Sequence, residues 1–162
     1  MNPAKSAFGV TSGMLLDHIV SQDRIVVDPD KVKAIMDALL PTNAKALSQF
    51  LGQIRWHSRM ILYLADAATP VHVTAHRTPF QWSTVEQDAY DCLKKMLSKV
   101  RVVQPPNWTK DFLVFVNASD IAIGSALMQL SEPNWYIPIY YASWKLSTAE
   151  EIIRQPNKKL SA

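Results

Sequence analysis

The chain has 162 residues, 48% hydrophobic and 19% charged, with a net charge of +3 and an isoelectric point near 9.0. That composition excludes a disordered or fibrous chain and supplies one domain or two small ones, while the mild basicity permits a polyanionic partner without requiring one. The single cysteine, Cys92, excludes an internal disulfide, reads as a small buried or half-buried helix residue and suits a reducing compartment. No apolar run follows Lys5, and Asp17 and His18 interrupt Gly13 to Val20. Neither a signal peptide nor a membrane span is expected, and the setting reads as intracellular, cytoplasmic or nuclear.

In chain order, Met14 to Ser21 and Arg24 to Val27 are apolar, β-branched runs separated by Ser21-Gln22-Asp23, the pattern of a hairpin. Asp28-Pro29-Asp30 opens a helix, because Asp caps it, Pro suits its first position and acid complements the dipole. Val32, Ile35, Met36 and Leu39 make its apolar stripe and Pro41 ends it. A second helix is expected from Ala44 to about Leu62, with Leu47, Phe50, Leu51, Ile54, Ser58 and Ile61 on its apolar face. Its other face carries Lys45, Ser48, Gln49, Gly52, Trp56 and Arg59, with Ser48, Gly52 and Trp56 in line. A mid-helix glycine costs roughly 1 kcal/mol relative to alanine, so a close approach is expected there, either a packed helix or a ligand.

From Ala65 to Trp82 the pattern is less regular and reads as a connector. His57, His72 and His76 lie at no metal-ligand spacing and read as isolated histidines. Ser83-Thr84-Val85-Glu86 is a capping box, opening a helix that buries Ala89, Leu93, Met96, Leu97 and Val100. Gln104-Pro105-Pro106-Asn107 then separates helix from sheet. Phe112 to Val116 reads as a strand buried on both faces, ending in the polar turn Asn117-Ala118-Ser119-Asp120. Ile121 to Gln129 reads as its antiparallel partner, and Trp135 to Ser143 as a third strand that Pro138 confines to an edge.

These segments resemble, in order, part of the polyprotein of gypsy-type LTR retrotransposons. Leu16-Asp17-His18-Ile19-Val20-Ser21 is similar to the Leu-Gly-His-x-Val-Ser primer grip of their reverse transcriptases, with Asp17 for the glycine. Phe50-Leu51-Gly52-Gln53-Ile54-Arg55-Trp56 resembles the thumb helix, whose Gly and Trp follow the minor groove of the primer-template. Phe80-Gln81-Trp82 and the helix after it match the stretch before the ribonuclease H strands. Tyr141-Ala142-Ser143-Trp144-Lys145-Leu146-Ser147 resembles Tyr-Ala-Ser-Arg-Lys-Leu-Ser. Where the family's first ribonuclease H strand ends in Asp-Ala-Ser, this chain has Asn117-Ala118-Ser119. Past Glu150, where the family runs into a helix bearing the catalytic Glu, the stretch from Glu151 to Lys159 shows no match and Pro156 would stop a helix.

The resemblance implies an α+β fold: an N-terminal β-hairpin, a helical thumb and connector, then a truncated RNase H-like three-stranded antiparallel sheet. It divides the chain into a primer-grip-like hairpin (1–27), thumb-like helices and connector (28–82), a linking helix (83–104) and the RNase H-like part (105–162). Two-metal cleavage needs anionic ligands holding cations about 4 Å apart. Asn117 is neutral there, and Asp120 and Glu150 read as turn and helix-start residues rather than substitutes. The expectation is a degenerate fragment of a reverse transcriptase/RNase H polyprotein with no catalysis of its own, and no cofactor although the family uses Mg2+. The alternative is a retained module gripping an RNA/DNA hybrid or duplex through Leu16, His18, Ser48, Gly52, Arg55, Trp56 and Arg59. No membrane partner is expected, and the unpaired edge of the strand at Phe112 to Val116 favours self-association.

Overall fold

The structure, a computed structural model, describes residues 8–99, 102–131, 134–147 and 150. The N-terminal unit is an antiparallel meander of β1 (Ser12–Leu15), β2 (His18–Ser21) and β3 (Ile25–Val27), in that order. The turn over Ser21 to Arg24 is the expected one, closed by the Ser21 amide on the Arg24 carbonyl at 2.9 Å. The run from Met14 to Ser21 is not one strand. It folds back at Leu16 and Asp17, with φ of 49° and 60°, so that Leu15 pairs with His18. A two-residue hairpin of this kind needs positive φ at both central positions. Aspartate tolerates that region, which explains why Asp17 can stand where the related motif has glycine.

Helix α1 (Pro29–Met36) starts as expected, the Asp28 carboxylate accepting from the Asp30 amide at 3.0 Å. It stops well short of Pro41, leaving Leu39 90% exposed. A proline disfavours helix in the residue before it and clashes with the carbonyl four back. The freed carbonyls are taken from another helix: Lys94 Nζ donates to Met36 at 3.0 Å and Ala38 at 2.6 Å, and Tyr90 Oη donates to Leu39 at 3.1 Å.

Helix α2 (Ala44–Trp56), capped by Asn43, buries Leu47, Phe50 and Ile54. It too is shorter than its apolar spacing implies. After Trp56 the chain makes a 3-10 turn (Ser58–Met60), turns a corner at Tyr63 with φ 58°, and enters α3 (Leu64–Ala75). The expected irregular connector is therefore largely a helix, despite Pro70 within it. The proline removes one amide, and one turn of the helix beside it gains a side-chain bond, the Thr69 hydroxyl donating to the Ala65 carbonyl at 2.8 Å.

Helix α4 (Thr84–Ser98) opens with the expected capping box and buries Ala89, Tyr90, Leu93 and Leu97. Val100, expected on the same face, lies outside the described residues. Cys92 is exposed, on the outer face of α4 rather than buried. The Glu86 carboxylate accepts from the Ser83 hydroxyl and amide and from Thr74 Oγ1, holding its pKa at about 2 and tying α4 to α3. Phe50, Ile54, Leu64, Val71, Leu93 and Leu97 are among the residues of the helical core, and the Phe50 and Tyr90 rings lie 4.2 Å apart.

The C-terminal sheet has the order β4 (Leu113–Ala118), β5 (Ala122–Ser131), β6 (Trp135–Lys145), antiparallel throughout. Pro138 sits on the edge strand as its missing amide requires, beside a register shift opposite Leu127 and Met128. Strand β4 differs from expectation: every residue from Leu113 to Asn117 is exposed, Val114 at 66% and Val116 at 65%. Helix α3 packs on β5 and β6 and leaves β4 as an open edge of the sheet among the described residues.

A second core joins the two sheets: Val27, Met60, Val103, Ala126 and Tyr141 are buried together. Gly124 on β5 packs against Tyr63 instead. A Cβ there would lie 2.3 Å from the Tyr63 ring, closer than atoms can approach. Gly124→Ala is expected to destabilise the protein by about 1–3 kcal/mol through displacement of Tyr63. Urea unfolding checks this, and the Tyr63→Ala background should absorb most of the effect. Additive losses in the two variants would refute the contact.

Candidate nucleic-acid interface

The residues expected to meet nucleic acid fall into two adjoining clusters. The first joins the β1–β2 turn to the end of α2. The Leu16 carbonyl accepts from Trp56 Nε1 at 3.3 Å and lies 2.6 Å from His18 Nδ1. A carbonyl only accepts, so His18 carries its proton on Nδ1 and presents Nε2 as an acceptor to His57 Nδ1, 3.5 Å away. Arg59 Nη2, 3.1 Å from His18 Nδ1, therefore packs beside the ring without donating to that nitrogen. His18 and His57 are 1% and 3% exposed. His18, expected as a contact residue, is thus buried behind the turn and positions it, while Leu16 and Trp56 remain exposed at 65% and 53%.

Both imidazoles are held neutral. Burial lowers the His18 pKa, with Arg59 adding to it, and burial followed by the charge of His18 lowers that of His57. Asp17, which would repel a phosphate backbone, lies 3.5 Å from Lys31. Both side chains are about half exposed, so the pair locally offsets the charge without contributing much stability.

The second cluster is a groove of about 570 Å3 between α2, α3 and the end of β6. Ser48, Gly52 and Arg55 form one wall, α3 the other, and Ser143 and Lys145 close one end. The Ala65 amide donates to Ser143 Oγ at 3.0 Å, fixing α3 to the strand. No atom comes within 4 Å of a Cβ placed on Gly52, so its bare surface faces open space rather than another helix. His72 and His76 also line this groove with ring centroids 4.9 Å apart. They are a pair rather than isolated residues, a feature their i, i+4 spacing carried but which required α3 to be helical. Burial, then the charges of His76, Arg55 and Lys145, lower the His72 pKa.

Asn117 lies apart from both clusters. Its Nδ2 donates to Tyr63 Oη at 3.3 Å and its Oδ1 accepts from the Ala118 amide at 2.9 Å. Beside it Ser119 Oγ donates to Asp66 Oδ1 at 2.8 Å. The small cleft here, about 150 Å3, is lined by Tyr63, Asp66, Asn117, Ser119 and Gly124 among others. A two-cation site needs several anionic oxygens converging. Here the central donor is a neutral amide already engaged, and Asp66 accepts from a serine. Glu150, at 2.8 Å from the Ser147 amide and 2.7 Å from its hydroxyl, serves that turn instead. Among the described residues, no three or more His, Cys, Asp or Glu gather as a metal site. The described residues do not fit the divalent cations used by nucleases of the family the sequence resembles.

Sheets and helices in this order define a region of the reverse transcriptase type. The family model for the RNase H-like domain found in reverse transcriptase matches residues 82–162, half of the chain, and the chain belongs to that family. The match reaches residue 162 and so includes 151–159, where no family motif was expected. The chain is 33% identical over 124 residues to the Retrovirus-related Pol polyprotein from transposon 297 of Drosophila melanogaster, covering 75% of this chain and 12% of that protein. It is 30% identical to the corresponding polyprotein from transposon opus of the same fly, over 100% of this chain and 17% of that one. The chain thus spans less than a fifth of these relatives. The foamy viral protease-reverse transcriptase in complex with RNA/DNA hybrid shares the fold, with a TM-score of 0.75 at 15% identity over 98% of this chain and 23% of that one. Its complex with dsDNA gives 0.76 at 16% identity, over 97% and 34%. Among the described residues, no helix is long and apolar enough to cross a membrane.

The buried histidines set a pH dependence. With folded pKa values below the ordinary value of 6.5, their contribution to stability is complete above that value and is lost as pH falls below it. Urea midpoints should fall between about pH 7.5 and 5.5, and His57→Leu should flatten that fall. An unchanged midpoint in the parent chain would refute the neutral pair.

Proposed function

We propose that the chain is a duplex-gripping part of a reverse transcriptase/RNase H polyprotein, with no chemistry of its own at Asn117. One observation carries this: the Trp56 indole donates to the Leu16 carbonyl, so that the grip-like turn and the thumb-like helix present one continuous surface. Exposed Leu16, Ser48, Gly52, Arg55 and Trp56 lie on or beside it. Half-buried Arg59 adds charge, and His18 supports the turn from beneath. An aromatic next to bare helix backbone and a cation suits groove and phosphate contact. The partner is an RNA/DNA hybrid or duplex, the ligands borne by the foamy viral complexes of the same fold. The grip comprises residues 1–27 and 28–82, the linking helix 83–104, and the RNase H-like part 105–162.

Fluorescence anisotropy with a labelled hybrid tests the grip. Trp56→Ala should weaken binding about tenfold, in keeping with the ~1–3 kcal/mol of an aromatic contact, and affinity should fall with salt. No binding at low salt, or equal binding by the variant, would sink the proposal. With magnesium or manganese the protein should leave hybrid RNA uncut, and Asn117→Asp should not restore cleavage. Metal-dependent cutting by that single variant would contradict the assignment.

The exposed strand β4 favours a second property, self-association. Leu113 to Val116 offers an apolar, proline-free edge whose outer backbone groups pair with no other strand among the described residues, a template for another strand. Val114→Lys should shift the protein toward monomer in sedimentation. A monomeric parent chain at high concentration would dispose of the idea.

A further inference from the structure

Helix α2 forms only one wall of the groove beside Gly52. The opposite wall and end contribute His72, His76 and Lys145, for which neither the grip motif nor the thumb motif provides a role. Cations and histidines thus converge from three elements: Arg55 from α2, His72 and His76 from α3, and Lys145 from β6. Among the described residues, no carboxylate lines the groove. Its floor is apolar, with Leu51, Ile54 and Leu64.

We propose that this groove binds the phosphodiester backbone of a single nucleic-acid strand, with His72, paired with His76, grading the strength of binding by pH. The volume argues for one strand: about 570 Å3 lies within the ~300–1,000 Å3 of small-ligand sites, room for a few nucleotides but not for the body of a duplex. The charge argues for phosphate, since the lining groups are cationic or become so on protonation. The apolar floor accommodates sugar and base. Without a ligand, burial opposes a proton on His72, and His76, Arg55 and Lys145 oppose it further. A phosphate seated among them reverses that field, so binding takes up protons and tightens as pH falls. The proposal rests on nucleic acid being the partner, but makes a separate demand of the site.

The test uses the whole chain and a labelled oligothymidylate of about eight nucleotides, titrated near pH 8 and near pH 6, on either side of the ordinary histidine value. Affinity should rise toward the lower pH, by up to about tenfold per pH unit for each proton taken up. Histidine ring proton resonances should report a raised pKa for His72 in the complex. His72→Gln with His76→Gln should flatten the pH gradient, and Lys145→Ala should weaken binding at both pH values. Circular dichroism on the same samples separates these effects from unfolding through His18 and His57. No binding of the strand, equal affinity at both pH values, or a gradient that survives the double substitution would overturn the proposal. A blunt hybrid titrated in parallel near pH 8 tests the duplex grip on its own: loss of hybrid binding with strand binding intact would remove the grip and leave this groove standing.

Discussion

The arrangement of this chain depends on a short segment between its two sheets. The Ile25 amide donates to the Val103 carbonyl at 2.8 Å, and the Gln104 amide donates to the Pro138 carbonyl at 3.0 Å. Two consecutive residues, Val103 and Gln104, thus touch β3 on one side and β6 on the other. Val103 at 2% exposure closes the core over which Val27, Met60 and Tyr141 meet. Backbone pairing is directional and buried apolar contact is not, so the two together fix orientation as well as association. The angle between hairpin and sheet sets where α2 and α3 run, and hence the shape of the groove.

Much of the local structure was legible because it rests on short-range chemistry. The Asp28 cap, the Ser83 and Glu86 box, the edge placement of Pro138 and the apolar faces of α2 and α4 all follow from neighbours within a turn or two. What escaped depends on contacts distant in sequence. Helix α1 ends early where Lys94 and Tyr90, more than 50 residues away, take its last carbonyls. Pro70 masked α3, which is held by Ser143, Glu86 and the helical core. The exposure of β4 reverses a reading of its apolar run as doubly buried, since hydrophobicity alone does not state which faces have neighbours. At the site, motif spacing brought out Gly52 and Trp56, but not His72, His76 and Lys145, which come together only through tertiary structure.

Around Asn117, the side chain at the end of β4 is part of the packing. Its amide engages Tyr63, and the Tyr63 ring occupies the space that glycine leaves at position 124. An amide donates as well as accepts, whereas an ionised carboxylate can only accept. Asn117 therefore gives Tyr63 a donor that an ionised carboxylate could not supply. The same tyrosine, at positive φ, turns the chain from the 3-10 turn into α3, so the end of β4 and the entry to α3 meet at one residue.

The link between the hairpin turn and Trp56 has an evolutionary consequence. Its acceptor is the main-chain carbonyl of residue 16, not the leucine side chain. Any residue able to adopt the turn can supply that oxygen, so position 16 can drift while the indole stays tethered. Compensating substitutions at 16 and 56 are then not required, and the contact would leave little trace as correlated change among related chains. Selection would be visible instead as a preference at 16 and 17 for residues that tolerate left-handed backbone, and as retention of the tryptophan alone.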